Sequence, residues 1–282
     1  MPVDIANLRS WIGSTETRHD HVTAVPIMAL SATLDREEAT PKTGDVLPPL
    51  WHWLYFLHLY RHSEIGPDGH PQRGGFLPPV PLPRRMWAGG RLSFHHALRV
   101  ADDISRTSTI ADVNLKEGRS GPLVFVLARH EINDAAGLAI TEEHDIVYRD
   151  QARPGDPVPK PQAAPLDHEW AREIHADDVM LFRYSALTFN GHRIHYDRHY
   201  VTQVEGYPGL VVHGPLIATL LLDLVRRNDP AAAVASFAFR AVKPLFDLTP
   251  FSVCGRRDGN SVRLWAKDHE GWLAMDATAT LA

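Results

Sequence analysis

The chain has 282 residues, 44% of them hydrophobic and 22% charged, which is ordinary globular usage and excludes a disordered, collagen-like or coiled-coil protein. Its formal net charge of -5 argues against a nucleic-acid partner, and no apolar run reaches the ~20 residues that a membrane helix needs. A single cysteine, Cys254, excludes an internal disulfide and a thiolate metal cage. Because the N-terminus also lacks the features of a signal or transit peptide, we expect a cytoplasmic protein without a membrane partner.

The first part of the chain predicts a helix, a long irregular segment and two strands. Residues 21–35 (HVTAVPIMALSATLD) fit a helix with Thr23 as its cap and Pro26 near its start. Residues 65–85 hold too many prolines and glycines for regular structure, and loops of this length in compact domains are usually functional or mobile. Residues 122–132 and 137–149 alternate like strands and are separated by a turn.

A proline-rich segment divides the chain almost in half and predicts its domain organisation. We expect an N-terminal domain at residues 1–150, a linker at 151–165 and a C-terminal domain at 166–282, hereafter the first half, the linker and the second half. Residues 91–104 align with residues 234–246, each with a Ser-Phe pair near its start, and strands at 261–268 and 271–281 close the second half as two strands close the first. This similarity predicts a doubled unit.

The strongest helix signal lies in the second half, at residues 215–227. Pro215 suits a first helical turn, and two arginines suit the negative C-terminal end. Between Leu216 and Val225 the segment is apolar on nearly all sides, so it must be buried by a sheet that curls around it. The predicted fold class is therefore α+β, with two units that each pack a long helix against an antiparallel sheet of about four to six strands.

Polar side chains that can carry chemistry are concentrated just before that helix, in residues 187–200 (LTFNGHRIHYDRHY). They are Asn190, His192, His195, Asp197 and His199. Three interpretations remain open. On one continuous helix the three histidines would share a face and, with Asp197, could bind zinc. They could be surface or capping residues, or His195 could transfer protons while Asn190 fixes a water or the substrate.

The beginning of the apolar helix, His213-Gly214-Pro215, has features of an oxyanion hole. The first N–H groups of a helix have no internal partner, and the helix dipole favours negative charge there. Gly214 has no side chain to block a ligand from its N–H. The alternative is that Gly214 is only a tight entry turn and His213 a cap.

These residues together resemble a known family, the MaoC-type enoyl-thioester hydratases and dehydratases of the double hotdog fold. The likeness is strongest to the subgroup of mesaconyl-C4-CoA and itaconyl-CoA hydratases and mitochondrial 3-hydroxyacyl-thioester dehydratases, where the form FNxHRIHYD is expected and residues 189–197 read FNGHRIHYD. The later positions Tyr200, Gly206-Tyr207 and His213-Gly214 also fit. In the first half, residues 11–20, 48–57 and 84–92 resemble segments of the same subgroup.

The resemblance implies a double hotdog fold, a catalytic second half and roles for individual residues. Asn190 falls where the wider family has its catalytic aspartate, His195 matches the catalytic histidine, and Gly214 matches the oxyanion-hole amide. The change to Asn190 departs from the family, because an amide cannot accept a proton. Asp197 is expected to orient the His195 ring, and His192 is a further supporting residue.

The implied activity is the reversible addition of water to an α,β-unsaturated acyl-CoA, here a short dicarboxylic one of the mesaconyl or itaconyl type. The alternatives are a dehydratase for 3-hydroxyacyl groups on CoA or acyl carrier protein, and a non-catalytic protein that binds acyl-thioesters. No cofactor or metal is expected, and the family suggests a homodimer.

The first half has no second copy of the Asn, His and Gly set, so we expect it to bind substrate without catalysing. The residues expected to contact CoA phosphates or a substrate carboxylate are Arg84, Arg85, Trp87, Gly89 and Arg91, with His213 from the second half. The alternative for each arginine is a solvated surface position.

Overall fold

The computed structural model describes residues 3–118, 121–151 and 160–282. The first half contains two helices and five strands, which are α1 (Ile5–Arg9), β1 (Thr15–His21), α2 (Ala24–Thr33), β2 (Arg84–Phe94), β3 (Asp103–Gly118), β4 (Gly121–Asp134) and β5 (Gly137–Arg149). Two short 3-10 turns, Trp51–Leu54 and His62–Glu64, interrupt the long segment between α2 and β2. This segment is otherwise irregular, as its prolines and glycines predict.

The second half contains three helices and five strands. They are β6 (Trp170–Ile174), α3 (Asp178–Leu187), α4 (Arg198–Gln203), α5 (Gly214–Asn228), β7 (Val234–Ala241), β8 (Phe251–Asp258), β9 (Ser261–Lys267) and β10 (Leu273–Leu281). Within the three described ranges, no helix combines the length and apolarity needed to cross a bilayer.

All ten strands form one antiparallel sheet in which the two halves repeat the same order. The strand order is β1-β3-β4-β5-β2 in the first half and β6-β8-β9-β10-β7 in the second. The last strands of the two orders, β2 and β7, pair with each other from Gly89 opposite Arg240 to Ser93 opposite Ser236. Two equivalent units joined edge to edge confirm the predicted α+β fold of double hotdog type.

Helix α5 is the buried centre of the second half, as its apolar sequence predicts. Every residue from Leu216 to Val225 is buried. One of them, Asp223, is a carboxylate, and it is paired at 2.6–3.2 Å with Arg36, Arg172 and Arg227. Because burial of an unpaired charge is costly, these three guanidinium groups are what allows a carboxylate in the core. Arg36 follows α2, so this ion-pair cluster also joins the two halves.

The linker is only partly visible, because residues 152–159 lie outside the described residues. Its C-terminal end is attached to the second half. The N–H of Leu273 donates to the carbonyl of Gln162, and the N–H of Ala164 donates to the carbonyl of Gly271.

Two glycine backbones cross where the irregular segment of the first half meets the second half. Gly69 has a φ of 87°, and a Cβ built on it would lie 1.8 Å from the carbonyl oxygen of Gly191. Only a residue without a side chain fits a backbone approach this close. This crossing fixes residues 66–70 against the segment that carries His192 and His195.

We expect Gly69→Ala to destabilise the protein and to lower its activity. A left-handed residue other than glycine costs about 1–2 kcal/mol, and the clash with Gly191 adds to that. Gly74→Ala is a matched control, because Gly74 also has a positive φ (98°) but a Cβ there would meet only Pro79, at 3.9 Å. Urea unfolding should show a loss of about 2 kcal/mol more for Gly69→Ala than for Gly74→Ala; equal losses would mean that the crossing contributes nothing.

Candidate active site

The polar segment before α5 is not one helix. Helix α3 ends at Leu187, residues 193–195 form a single 3-10 turn, and α4 begins only after Asp197. Phe189 takes a φ of 50°, which breaks the helical path just before Asn190. The interpretation in which His192, His195 and His199 share a helix face and bind zinc is therefore wrong in its geometry.

His195 is buried, and its imidazole is held in a single orientation. Its Nδ1 lies 2.7 Å from the carbonyl oxygen of Val211. Because a carbonyl only accepts, Nδ1 carries the proton and Nε2 presents a lone pair. Burial lowers the pKa of His195 to about 4, against the raising effect of the Val211 hydrogen bond. The ring is therefore neutral near pH 7 and can act as a base.

We expect the pH profile of kcat/KM to reflect this lowered pKa. The group is active when neutral, so activity should fall only as the pH approaches about 4, rather than near 6.5 as for an exposed histidine. Buried His213 and His130 also have lowered pKa values, caused first by desolvation. The unfolded state therefore binds more protons below pH ~6.5, and stability decreases as the pH falls through that range.

Circular dichroism at each pH is the control for this profile. A fall in kcat/KM with a midpoint near 6.5 in a fully folded protein would contradict the assignment of His195 as the base.

His213 connects the His195 ring to the start of α5. Its own ring is fully buried and stacks on that of His195 with 3.7 Å between centroids and 17° between planes. Its Nε2 lies 2.8 Å from the hydroxyl of Ser185. His213 occupies the N-cap position of α5, as the alternative expected, but its side chain makes no capping hydrogen bond. Instead, the stack places the catalytic candidate beside the first residue of the helix.

Gly214 is the first residue of α5 and offers an accessible amide. Within the described part of the chain its N–H has no hydrogen-bond partner. A Cβ built on Gly214 would meet nothing within 4 Å, so the space on the side-chain side of this residue is open. The N-terminal end of a 15-residue helix adds its positive dipole. The Gly214 N–H can therefore bind an anionic oxygen, and the adjacent residue, His213, carries the ring that stacks on His195.

Asn190 is involved in the local chain turn. Its Oδ1 accepts a hydrogen bond from the main-chain N–H of His192 at 3.0 Å, and its own N–H donates to the carbonyl of Ser185 at 2.8 Å. One lone pair of Oδ1 is therefore already used. The contact between Asn190 and a water stays a prediction.

Asp197 does not orient His195, and that expectation is wrong. Its Oδ1 accepts the N–H of Tyr200 and so caps α4, while its Oδ2 pairs with Arg193 at 2.7 Å. The hydrogen bond from the Tyr200 N–H is the larger cause, and the contact with Arg193 the next, of a pKa of Asp197 below the usual range. The orienting contact comes instead from the Val211 carbonyl, which the distance along the chain gave no reason to expect.

Two residues of the first half that the sequence analysis did not single out, Asp68 and His70, also lie next to this site. The His70 ring lies 4.0 Å from the His192 ring, and the His192 ring lies 5.5 Å from that of His195. Asp68 Oδ2 is 3.1 Å from His70 Nδ1. The only signal was the long irregular segment, 65–85, in which Asp68 and His70 occur. Asp68, His70 and His192 offer one metal-ligand atom each within 4.8 Å of one another, a spacing that is compatible with a divalent ion.

The three predicted substrate arginines have different surroundings. Arg84 donates to the carbonyl of Glu205 at 2.7 Å and lies over the Tyr207 ring. Arg91 is half exposed and pairs with Glu143 and Asp145 at 2.9 and 2.7 Å, which places it on the solvent face and outside the site. Its assignment as a substrate residue is therefore wrong.

Arg85 is the third of these arginines, and its side chain interacts with that of Tyr148. No carboxylate in the described ranges lies within ion-pair distance of it, and its charge contributes to the lowered pKa values of His70 and His192, behind desolvation in both. It therefore lies close to the imidazole cluster.

Trp87 and Gly89 lie at the junction of the two half-sheets. The Trp87 ring packs against Trp53 and Phe239, and its Nε1–H donates to the Gly89 carbonyl at 2.8 Å. A Cβ on Gly89 would lie 2.5 Å from the Phe239 carbonyl oxygen. Their visible role is to join β2 to β7.

Comparisons with known proteins agree with this fold. Residues 50–247 match the family model of hydroxyacyl-thioester dehydratase type 2. The chain is 47% identical over 279 residues, 98% of either chain, to a mesaconyl-C(4)-CoA hydratase of Chloroflexus aurantiacus. Among solved structures it is similar to a MaoC-like dehydratase (TM-score 0.71, 14% identity, 96% and 98% of the two chains) and to a Mycobacterium tuberculosis protein with a double hotdog fold (TM-score 0.60, 12% identity, 96% of each). This chain belongs to the hydroxyacyl-thioester dehydratase type 2 family.

Proposed function

We propose that this hydratase/dehydratase adds water reversibly to the double bond of a short dicarboxylic enoyl-CoA, of the mesaconyl-C4 type that names its relative. The observation that carries the proposal is the pairing of a neutral buried imidazole, His195, with an unpartnered amide at Gly214, linked by the stacked ring of His213. Water addition to an enoyl thioester needs a base for the water and a donor for the developing enolate.

The reaction can be written with these two groups. Nε2 of His195 takes a proton from water as the water oxygen bonds to the β-carbon. The electron pair of the double bond moves towards the thioester carbonyl oxygen, to which the Gly214 N–H donates. The same imidazole then returns its proton to the α-carbon, so that both additions occur on one face. Dehydration follows the same steps in reverse.

The substrate class rests on Arg85. The mesaconyl-C4 group carries its free carboxylate on the β-carbon, so a cation must lie close to the reacting atoms. Arg85 lies near His70 and His192 and has no carboxylate partner among the described residues. A guanidinium is well suited to a carboxylate because it donates two parallel hydrogen bonds.

We expect Arg85→Met to raise KM for mesaconyl-C4-CoA by about 10- to 100-fold, the value of one charge-assisted hydrogen bond. KM for crotonyl-CoA, which lacks the carboxylate, should change less than about threefold. Arg91→Met is the matched control from the same strand and should affect neither substrate. Equal effects of Arg85→Met on both substrates would point to a phosphate of CoA instead of the acyl carboxylate.

The family name indicates a second candidate function, the dehydration of 3-hydroxyacyl groups on CoA or acyl carrier protein. A panel of mesaconyl-C4-, itaconyl- and crotonyl-CoA, followed at the enoyl-thioester absorbance band, separates the two. The proposal expects the highest kcat/KM with a dicarboxylic substrate; preference for crotonyl-CoA or longer enoyl chains would favour the second function. A cytoplasmic homodimer completes the proposal and is tested by light scattering and cell fractionation.

A further inference from the structure

The irregular segment of the first half forms an ordered turn at residues 64–72, next to the segment that carries His192 and His195. Gly66 N–H donates to the His70 carbonyl at 2.7 Å, Gly69 N–H donates to the Gly66 carbonyl at 3.0 Å, and Gln72 N–H donates to the Glu64 carbonyl at 2.8 Å. The turn is also attached to the second half, because Arg193 donates its N–H to the carbonyl of Asp68 and its Nη1 to the carbonyl of Pro67, both at 2.9 Å.

This turn holds His70 in a defined tautomer. The Asp68 carboxylate accepts the His70 main-chain N–H at 3.0 Å through Oδ1 and faces the ring Nδ1 through Oδ2. An ionised carboxylate can only accept, so Nδ1 carries the proton and Nε2 presents a lone pair. A carboxylate that fixes an imidazole in this way is a recurrent device of catalytic sites. His192, between the two rings, has no such ring hydrogen bond in the described chain.

Nε2 of His195 and Nε2 of His70 can therefore both accept a hydrogen bond, and the two rings belong to one cluster, because they lie 5.5 and 4.0 Å from the His192 ring between them. A water that attacks the β-carbon has two O–H groups, and holding both directs its own lone pair at the carbon. Asn190 was the sequence-based candidate for the second contact, but one lone pair of its oxygen already binds the His192 N–H. The single acceptor of His70, Nε2, has no hydrogen-bond partner within the described residues.

We propose that His70, held by Asp68, accepts the second hydrogen bond of the attacking water and is a catalytic residue supplied by the first half. Asp68 is then a positioning residue. The proposal rests on the proposed hydratase function and replaces the expectation that the first half only binds substrate. The proton still goes from water to His195 and from His195 to the α-carbon, so no further reactant is needed.

The test compares His70→Leu, His70→Gln and Asp68→Asn with wild type in the hydration of mesaconyl-C4-CoA. We expect His70→Leu to lower kcat by about 100-fold with KM changed less than about threefold. His70→Gln should keep more activity, because its amide oxygen still accepts. Added imidazole should partly restore His70→Ala, since the side chain of His70 is 20% exposed and solvent can enter its place. His62→Leu, an exposed histidine of the same segment, is the matched control and should be neutral.

The variant Asp68→Asn adds a measurement whose result would differ if Asp68 had only a structural role. Loss of the carboxylate that holds the His70 ring should lower kcat while KM for mesaconyl-C4-CoA changes less than about threefold, whereas a structural defect would change both together. The proposal is overturned if His70→Leu keeps wild-type kcat. It is also overturned if His70→Leu and His70→Gln lose kcat equally, together with thermal stability, and imidazole does not restore His70→Ala. Loss of activity in EDTA, through removal of a bound metal ion, would overturn it as well. A wild-type protein inactive on the whole thioester panel would instead remove the proposed function itself.

Discussion

Replacing His195 with alanine should lower kcat by about 1,000-fold, because one imidazole serves both proton transfers. The side chain is buried, and within the described residues its only hydrogen bond is the one to the Val211 carbonyl. Substrate contacts at Arg85 and the Gly214 amide are unchanged by this substitution, so KM should stay within a few-fold of wild type. The decay of enoyl-thioester absorbance under saturating mesaconyl-C4-CoA measures the effect.

His199→Ala is the matched control for this prediction. His199 lies in the same segment but is exposed on α4, away from the stacked pair formed by His195 and His213. It should retain full activity. If His195→Ala remained within about tenfold of wild type while still folded, the base would have to be another group.

Replacing Gly214 with proline should lower kcat by about 100- to 1,000-fold, the usual effect of removing one oxyanion-hole donor. Proline is accepted at the first position of a helix, because the N–H it lacks has no helical partner there. The preceding residue, His213, already has the extended conformation that a following proline requires, with φ -60° and ψ 130°. The substitution therefore removes the donor while the helix can still form.

The variant Gly214→Ala distinguishes the role of the Gly214 N–H from that of the open space beside this residue. Alanine keeps the N–H but places a methyl group where a Cβ now meets nothing within 4 Å. We expect a rise in KM with kcat much closer to wild type than in the proline variant. Equal kcat values for the two variants would show that the Gly214 N–H does not stabilise the transition state.

The parts of the fold set by local sequence could be predicted. The alternating runs at 122–132 and 137–149 are β4 and β5, those at 261–268 and 271–281 are β9 and β10, and the apolar run at 215–227 is α5. Each of these depends on side-chain periodicity and on turn residues within a few positions. The repeat was visible for the same reason, since both halves end in a hairpin.

The site was predicted only where its residues are close in sequence. His195, His213 and Gly214 could be proposed because a polar cluster directly precedes a buried helix. The proximity of Asp68 and His70 to this cluster could not be predicted, because it depends on how their turn packs against Gly191 and Arg193, more than 100 residues away.

The same limit applies to the arginines. From the sequence alone, three arginines are equally good candidates for the cation that binds an anionic substrate: Arg84, Arg85 and Arg91. Only the positions of Glu205, Glu143 and Asp145 in the folded chain show that Arg84 and Arg91 are already paired. Charge pairing across a sheet follows strand register, and the sequence does not give the register between distant strands.

A buried polar cluster in the first half was likewise not foreseen. Glu142 of β5 is almost fully buried and accepts hydrogen bonds from Trp53, His52 and His144. Desolvation opposes ionisation, but these histidine partners hold its pKa well below the usual range. Trp53 and His52 belong to a turn about 90 residues earlier, so this cluster attaches the irregular segment to the sheet.

The central claim is that one thioester contacts both the Gly214 amide and the His195 ring. A crystal structure with butyryl-CoA, a saturated thioester that cannot be hydrated, tests it most directly. The account predicts the thioester carbonyl oxygen at about 3 Å from the Gly214 nitrogen, with the β-carbon facing Nε2 of His195. A carbonyl oxygen bound elsewhere, or a β-carbon on the far side of the cavity from His195, would contradict it.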